Sequence, residues 1–194
     1  PNKNIIDVCG NPLISYTIKE CKKITNEVYV SSDSSEILDI SKKYGAKTII
    51  RPEKLSTDFT RTEDVIEHFI QNCNNMNTLV LVQATSPLLK AEYIMQGIDK
   101  LKNYDSIISV MEDTPFYWNS KGNPINFKLQ ERGRTQDREI WYRENGAFYI
   151  TSVKKFMNNK ILQNGHVGFV SMDKYHSVDI DNYDDLELVK SLLK

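Results

Sequence analysis

Thr78-Leu79-Val80-Leu81-Val82-Gln83 is the stretch that most limits what this chain can fold into. An unbroken Leu-Val-Leu-Val run, with no polar alternation, belongs to a strand covered on both faces, as in sheets sandwiched between helix layers. Its neighbours agree. Glu27 to Ser31 and Ser106 to Met111 read as further buried strands, and Ala46 to Ile50 as another strand. Between them lie segments with helical spacing. Pro12 to about Ile24 carries Leu13, Ile14, Ile18 and Cys21 on one side, and Thr62 to about Asn72 carries Val65, Ile66, Phe69 and Ile70. Asp33 or Ser34 caps a helix that Gly45 ends after Tyr44, and Ala91 to Lys102 forms another. Such alternation predicts an α/β domain with a three-layer, mostly parallel sheet. Right-handed crossovers then gather the loops after strand ends along one rim, where ligands of these sheets bind.

The alternation stops from Glu112 to Tyr142. This stretch holds Pro115, Phe116, Tyr117, Trp118, Phe127, Arg132, Arg134, Arg138 and Trp141. A loop this long is uncommon in a compact domain unless it has a role, and aromatic residues with arginines are enriched in protein contacts. Residues 112–142 therefore read as an arm that packs on a second subunit. Gly146 to Thr151 returns to a strand, followed by a short helix from Val153 to about Met157. Val167 to Ser171 is the last strand and Asn182 to Leu193 the last helix. With 194 residues and 40% hydrophobic content, one domain with a full core is expected. A formal charge of −1 gives no electrostatic case for nucleic acid. No apolar run approaches the roughly 20 residues of a membrane span; no signal peptide is read before the first helix, so the expected compartment is the cytoplasm. Cys9, Cys21 and Cys73 lack zinc-site spacing and read as reduced thiols.

Chemistry concentrates in four places. Ser177-Val178-Asp179-Ile180-Asp181-Asn182 alternates apolar and acidic residues, which reads as a strand end with Asp179 and Asp181 on one side. Two such carboxylates suit Mg²⁺, which is held by one or two carboxylates plus substrate phosphates. A solvated turn with a helix cap at Asn182 is the plainer alternative. Arg51-Pro52 follows a strand, and the arginine fork can grip a base edge or a carboxylate. Gln83-Ala84-Thr85-Ser86-Pro87 follows the central strand, with Gln83 offering the donor and acceptor that reading a base or a sugar amide requires. Tyr142-Arg143-Glu144-Asn145-Gly146 is the fourth, where Gly146 permits close backbone approach. His68 and His166 take the plain reading of surface or loop residues, while His176 adjoins the acidic stretch.

Leu81-Val82-Gln83-Ala84-Thr85-Ser86-Pro87-Leu88, Arg51-Pro52 with Leu55 and Asp58, Asn145-Gly146-Ala147-Phe148-Tyr149-Ile150 and Val178-Asp179-Ile180-Asp181 together resemble the acylneuraminate cytidylyltransferase family. These are CMP-sialic acid synthetases and their legionaminic and pseudaminic acid relatives. The resemblance runs from Lys3 to the C-terminus, as a single domain over 1–194. It implies a GT-A-like nucleotide-diphospho-sugar transferase fold. It also implies that the anomeric hydroxyl of a nine-carbon 2-keto acid attacks the α-phosphorus of CTP, releasing pyrophosphate. Pro1-Asn2-Lys3-Asn4 matches the tail of a family signature whose first strand and phosphate-cradling loop are expected upstream of Pro1. By position, Lys3 and Asn4 would contact CTP, Arg51 and Thr62 would lie near cytosine, and Gln83 would face the sugar. Arg143 and Asn145 would line the acceptor pocket, and Asp179 with Asp181 would hold Mg²⁺. The residues do not single out the general base, for which Asp179 and a metal-bound water are the candidates.

Relatives also extend an arm between subunits, which implies a homodimer through residues 112–142. Here the pattern departs: Arg134-Thr135-Gln136-Asp137-Arg138-Glu139 replaces an Arg-Gln-Asp-Leu-Pro sequence, so the carboxylate contact falls to Arg134 or is lost at Thr135. Two other readings compete. A CMP-Kdo synthetase would place a Gly-Asp-Glu-Pro-like turn after the central strand, where this chain has Gln83-Ala84-Thr85-Ser86-Pro87. A non-catalytic nucleotide-sugar-binding protein would dispense with the acidic pair, and both members are present.

Overall fold

The computed structural model describes residues 3–73 and 76–194; the Pro1-Asn2 part of the N-terminal signature lies outside them. A small antiparallel pair, β1 (Asp7–Val8) and β2 (Asn11–Pro12), leads into α1 (Ile14–Lys22). Pro12 thus ends a strand rather than opening the helix. Next comes a parallel unit of β3 (Tyr29–Ser32), α2 (Ser35–Lys43) and β4 (Lys47–Ile50), in register from Tyr29↔Lys47 to Ser32↔Ile50. Ser34 caps α2 by accepting from the Ile37 N–H, and Gly45 ends it at φ +86°, a conformation that favours glycine.

Beyond α3 (Thr62–Asn72) stand β5 (Thr78–Val82), α4 (Ala91–Lys100), β6 (Ser106–Asp113), β7 (Trp141–Ser152), α5 (Val153–Asn159), β8 (Val167–Ser171) and α6 (Tyr183–Leu192). Four of these strands form a sheet in the order β5-β7-β6-β8. β7 pairs antiparallel with both β5 and β6, while β6 pairs parallel with β8. The expectation of a mostly parallel sheet therefore holds only for strand direction. β5, β6 and β8 run one way, but the returning β7 is inserted between β5 and β6 and makes both of those pairings antiparallel.

Helices cover both faces. Val80, Val82, Phe148 and Ile150 pack with Leu89 and Ile94 on the α4 side, whereas Leu79, Leu81 and Tyr149 pack with Ile66, Phe69 and Phe156 of α3 and α5. That division follows the strand period of two, and it explains why β5 has no polar face. The three-layer reading is correct.

β6 and β7 also run further than their sequence implied. Val110 to Asp113 pair with Glu144 to Trp141, so the ladder continues into what reads as irregular chain. Between Ile108↔Tyr149 and Val110↔Glu144 the register shifts, β6 advancing two residues while β7 advances five. The extra residues fall at Asn145-Gly146-Ala147, with Gly146 at φ +72°. Buried Ser109 repairs the interrupted ladder, its hydroxyl accepting from the Phe148 N–H (3.0 Å) and donating to the Phe148 carbonyl (3.1 Å). Bulges of this kind re-aim side chains beside functional sites.

The remaining arm packs on itself. Phe116 and Phe127 meet edge to face at 4.9 Å, and Arg132 and Arg138 lie 4.2 and 3.9 Å from the Phe116 ring centre. Arg138 also donates to the carbonyls of Thr114, Pro115 and Asn126. Trp118, Ile125, Leu129 and Ile140 stay exposed.

Candidate active site

One cavity lies against the turn that follows β5, and a second lies at the acidic segment, which that turn touches through Ser86 and Asp179. The first, of about 460 Å³, lies between β3 and β5 and is walled by Val30, Leu79, Leu81 and Ile94, with Asn4, Arg51 and Gln83 at its polar positions. Among the described residues, β3 pairs only with β4 and β5 only with β7, so each presents an unpaired edge here. The carbonyls of Val28 and Ser32 accept from Lys47 and Arg51 of the neighbouring strand. Residues of that parity face β4, which turns Ser31 to the open edge. The Arg51 side chain answers this: Nη2 donates to the Ser31 carbonyl (2.6 Å) and Nε to its hydroxyl (3.3 Å). Burial pulls the Arg51 pKa below its ordinary value, opposed by the charge of Asp33. Part of the fork is thus committed to the fold.

The second cavity, of about 740 Å³, is polar and holds Arg143, Asn145, Ser177, Asp179 and Asp181. Asn145, displaced by the β7 bulge, donates through Nδ2 to the Ser177 hydroxyl (3.0 Å) and accepts from the Ala147 N–H (3.3 Å). The acidic segment is no strand. Its one backbone bond to the sheet side is from the Ile180 N–H to the Thr85 carbonyl (2.9 Å), which is too little for a ladder. Alternation survives without one: Val178 and Ile180 join the apolar cluster of Leu13, Leu88, Leu186 and Val189, and Asp179 and Asp181 face the cavity. Asn182 caps α6 as expected, in a reciprocal box with Asp185, whose carboxylate accepts from the N–H groups of Asp181 and Asn182. Asp185 is therefore occupied, while among the described residues Asp179 and Asp181 accept from no backbone donor.

The Gln83–Ser86 turn connects the two cavities, with Gln83 and Ala84 lining the first. Ser86 donates to Asp179 Oδ1 (3.4 Å), and Lys3 Nζ lies 3.2 Å from Asp181 Oδ1 while the adjoining Asn4 lines the first cavity. Of the residues singled out in the sequence, Arg51, Gln83 and Asn4 therefore meet on one side, and Arg143, Asn145, Asp179 and Asp181 on the other. Gln83 stands with Arg51 rather than with the Arg143–Asn145 group. Thr62 opens α3 and lines neither cavity, and Arg134 is paired with Asp137 in the exposed arm (2.8 Å).

Glu144, Lys174 and Ser177 line the second cavity without having been singled out. Ser177 carried a signal, since it precedes Asp179 by two; Lys174 carried none. Glu144 accepts from the Tyr149 hydroxyl, and burial, this bond and the charges of Glu144 and Asp179 push the phenol pKa up. Among the described residues no three or more His, Cys, Asp or Glu side chains cluster as a protein-only metal cage. Two hard carboxylates on one wall match instead the sparse donor set that Mg²⁺ accepts beside phosphates.

A family profile described as cytidylyltransferase matches residues 1–192. The chain belongs to this family. Pseudaminic acid cytidylyltransferase of Campylobacter jejuni is 31% identical to this cytidylyltransferase over the whole chain and 90% of the relative's length. N-acylneuraminate cytidylyltransferase A of Danio rerio is 32% identical across 93% of the chain, which spans only 44% of that protein. The fold is that of solved nucleotide-activating enzymes. A CMP:2-keto-3-deoxy-manno-octonic acid synthetase complexed with CTP superposes with a TM-score of 0.73 at 14% identity, covering all of this chain and 92% of the other. A 4-diphosphocytidyl-2C-methyl-D-erythritol synthase from Anaerococcus prevotii gives 0.70 at 13% identity, covering 98% and 92%. Among the described residues no helix is long and apolar enough to cross a membrane.

Proposed function

We propose that this cytidylyltransferase joins CTP to a nonulosonic acid of the sialic, legionaminic or pseudaminic type, forming the CMP-sugar and pyrophosphate. Relatives named for pseudaminic and N-acylneuraminic acids support that substrate class. The observation that carries the site is the position of Asp179 and Asp181. They line one polar cavity together with Arg143 and Asn145, a setting fit for an anionic sugar and for phosphates.

In this reading Asn4, Arg51 and Gln83 hold the nucleoside side. The N–H groups of Arg51 not used by Ser31 meet the base, and Gln83 stands where nucleoside and sugar meet. Arg143 pairs with the sugar carboxylate, and Asn145, fixed by Ser177, orients the ring. The sugar hydroxyl oxygen forms a bond to the α-phosphorus, its proton passing to Asp179 or to water, as the bond to the bridging oxygen breaks and pyrophosphate leaves with that electron pair. Lys3 lies where it can offset charge on the phosphates. Asp179 and Asp181 would hold Mg²⁺, which supplies charge neutralisation on the transferring phosphoryl group. The exposed apolar residues of the arm, Trp118, Ile125 and Leu129, would meet a second copy of the chain, with Arg134 reaching its sugar site.

Pyrophosphate release with Mg²⁺, each nucleoside triphosphate and a panel of sialic, legionaminic, pseudaminic and Kdo acids tests the reading. Turnover is expected with CTP and a nine-carbon acid, and chelation of Mg²⁺ should stop it. Activity confined to ATP or GTP, or to sugar 1-phosphates, overturns it.

A further inference from the structure

The segment that carries Asp179 and Asp181 belongs to no strand, so something other than a ladder must fix where the carboxylates stand. Two of its anchors belong to the cavity itself, Ser177 to Asn145 and the Asn182–Asp185 cap, and a third, Ile180 to Thr85, lies behind it. A fourth comes from outside, from α4. The hydroxyl of Tyr93 lies 3.2 Å from Asp173 Oδ2 and 3.3 Å from His176 Nδ1, and that nitrogen is 2.9 Å from the same carboxylate oxygen. One proton arrangement satisfies all three groups: Nδ1–H and the tyrosine O–H both donate to Asp173. The other oxygen of Asp173 accepts from the His176 N–H (2.8 Å), and its carbonyl accepts from the Ser177 N–H (3.1 Å). Asp173 thus folds the turn whose last residue, Ser177, begins the acidic segment. These donors hold its carboxyl below the usual carboxylate range, the His176 backbone bond contributing most. The His176 ring is also flanked by Tyr93 (5.5 Å between centres) and Tyr175 (4.9 Å), and the Tyr175 hydroxyl donates to the Leu192 carbonyl at the end of α6 (2.7 Å).

We infer that Tyr93, Asp173 and His176 form a latch that positions residues 177–181, so that these three are positioning residues for the acidic pair although none lines the cavity. The inference rests on the reading of Asp179 and Asp181 as the Mg²⁺ site. Removal of the hydroxyl in Tyr93→Phe keeps the ring but frees Asp173 and His176 on that side. Groups that orient metal ligands from behind commonly alter affinity tenfold or more when removed. Tyr93→Phe is therefore expected to raise the Mg²⁺ concentration for half-maximal rate about tenfold, with KM for the sugar acid within about twofold. Backbone-amide exchange of residues 177–181 should accelerate while that of β6 and β8 stays unchanged. His176→Asn, whose amide can replace Nδ1–H toward Asp173, should retain more of the wild-type Mg²⁺ response than His176→Leu.

Unchanged Mg²⁺ response and unchanged exchange at 177–181 in Tyr93→Phe overturn the latch. So does an equal loss in His176→Asn and His176→Leu, and that pair decides the matter if Tyr93→Phe fails to fold. Asp179→Asn separates the two levels. If it leaves the Mg²⁺ response intact, the site assignment fails, and the exchange measurement alone still decides the latch.

Discussion

The cavity between β3 and β5 and the cavity beneath the acidic segment differ in how they are built. Strands, helices and many aliphatic side chains wall the first, and Asp33, Arg51 and Gln83 among its polar groups follow strand ends. A bulge, an unpaired segment and a helix cap make the second, and almost every group facing it is charged or can hydrogen-bond. A flat base gains from a dry slot with few polar contacts. A carboxylate and a triphosphate require charges held at fixed points, and irregular backbone delivers these because it frees side chains from the in-and-out alternation of a strand. In the proposed reading the nucleoside meets the rim of the first cavity at Arg51 and Gln83, and the chemical step belongs to the second. The first cavity itself is the gap between the unpaired edges of β3 and β5 among the described residues.

The largest test of that division lies at the acidic wall. Asp179→Asn and Asp181→Asn keep size and lose charge. Each is expected to lower kcat by about a hundredfold or more, a loss beyond that of removing a supporting group behind a metal ligand. The circular-dichroism spectrum and melting temperature should stay near wild type, since neither carboxylate holds backbone. Wild-type rates in either variant would place the metal elsewhere. Gln83→Ala should act on the nucleoside side, raising KM for CTP about tenfold, as the loss of one or two hydrogen bonds to a bound base does, with little change in kcat. If Gln83→Ala instead raises KM for the sugar acid alone, the connecting turn belongs to the sugar side.

The same contrast separates what could be read from sequence from what could not. Regular elements write their burial into periodicity, so β5, β8, the cap at Ser34 and the capping of α6 by Asn182 are legible one residue at a time. The site residues were legible as types at turns: Asp179, Asp181, Arg143 and Asn145 do converge. Pairings distant in sequence were not. Nothing in Gly146 to Thr151 announces that β7 inserts between β5 and β6, because an apolar run looks the same in either direction. The extension of β7 back to Trp141 was hidden because Arg143 and Glu144 break its apolar character. Nor could Arg51 be foreseen as the group that satisfies Ser31, since that depends on which edge of β3 lacks a neighbour.

Arg51 tests the first cavity on stability as well as binding. Arg51→Met keeps much of the packing but leaves the Ser31 carbonyl without its charged donor. Loss of such a bond in a partly buried place costs about 1–3 kcal/mol, so a lower denaturant midpoint is expected with an unchanged slope, along with weaker CTP binding. A variant as stable as wild type would mean that water replaces the guanidinium at the open edge, and that this cavity is wetter than its lining implies.

Cys21 and Cys9 offer the mildest test of the same point. Cys21 lines the first cavity, and burial, reinforced by the charge of Glu20, pushes its thiol up to about 11. Cys9 is exposed on the turn between β1 and β2. The thiolate is the reacting form, so at pH 8 iodoacetamide should modify Cys9 well before Cys21. The sign follows from the raised pKa: the thiolate fraction at Cys21 grows about tenfold per pH unit until pH approaches 11, so its alkylation should speed up steadily over that range. CTP should slow alkylation at Cys21 and leave Cys9 unaffected, because only the former faces the nucleoside side. Mass mapping of the labelled peptides resolves the two sites, and equal protection of both by CTP would point to general tightening of the fold instead of occupancy of the slot between β3 and β5.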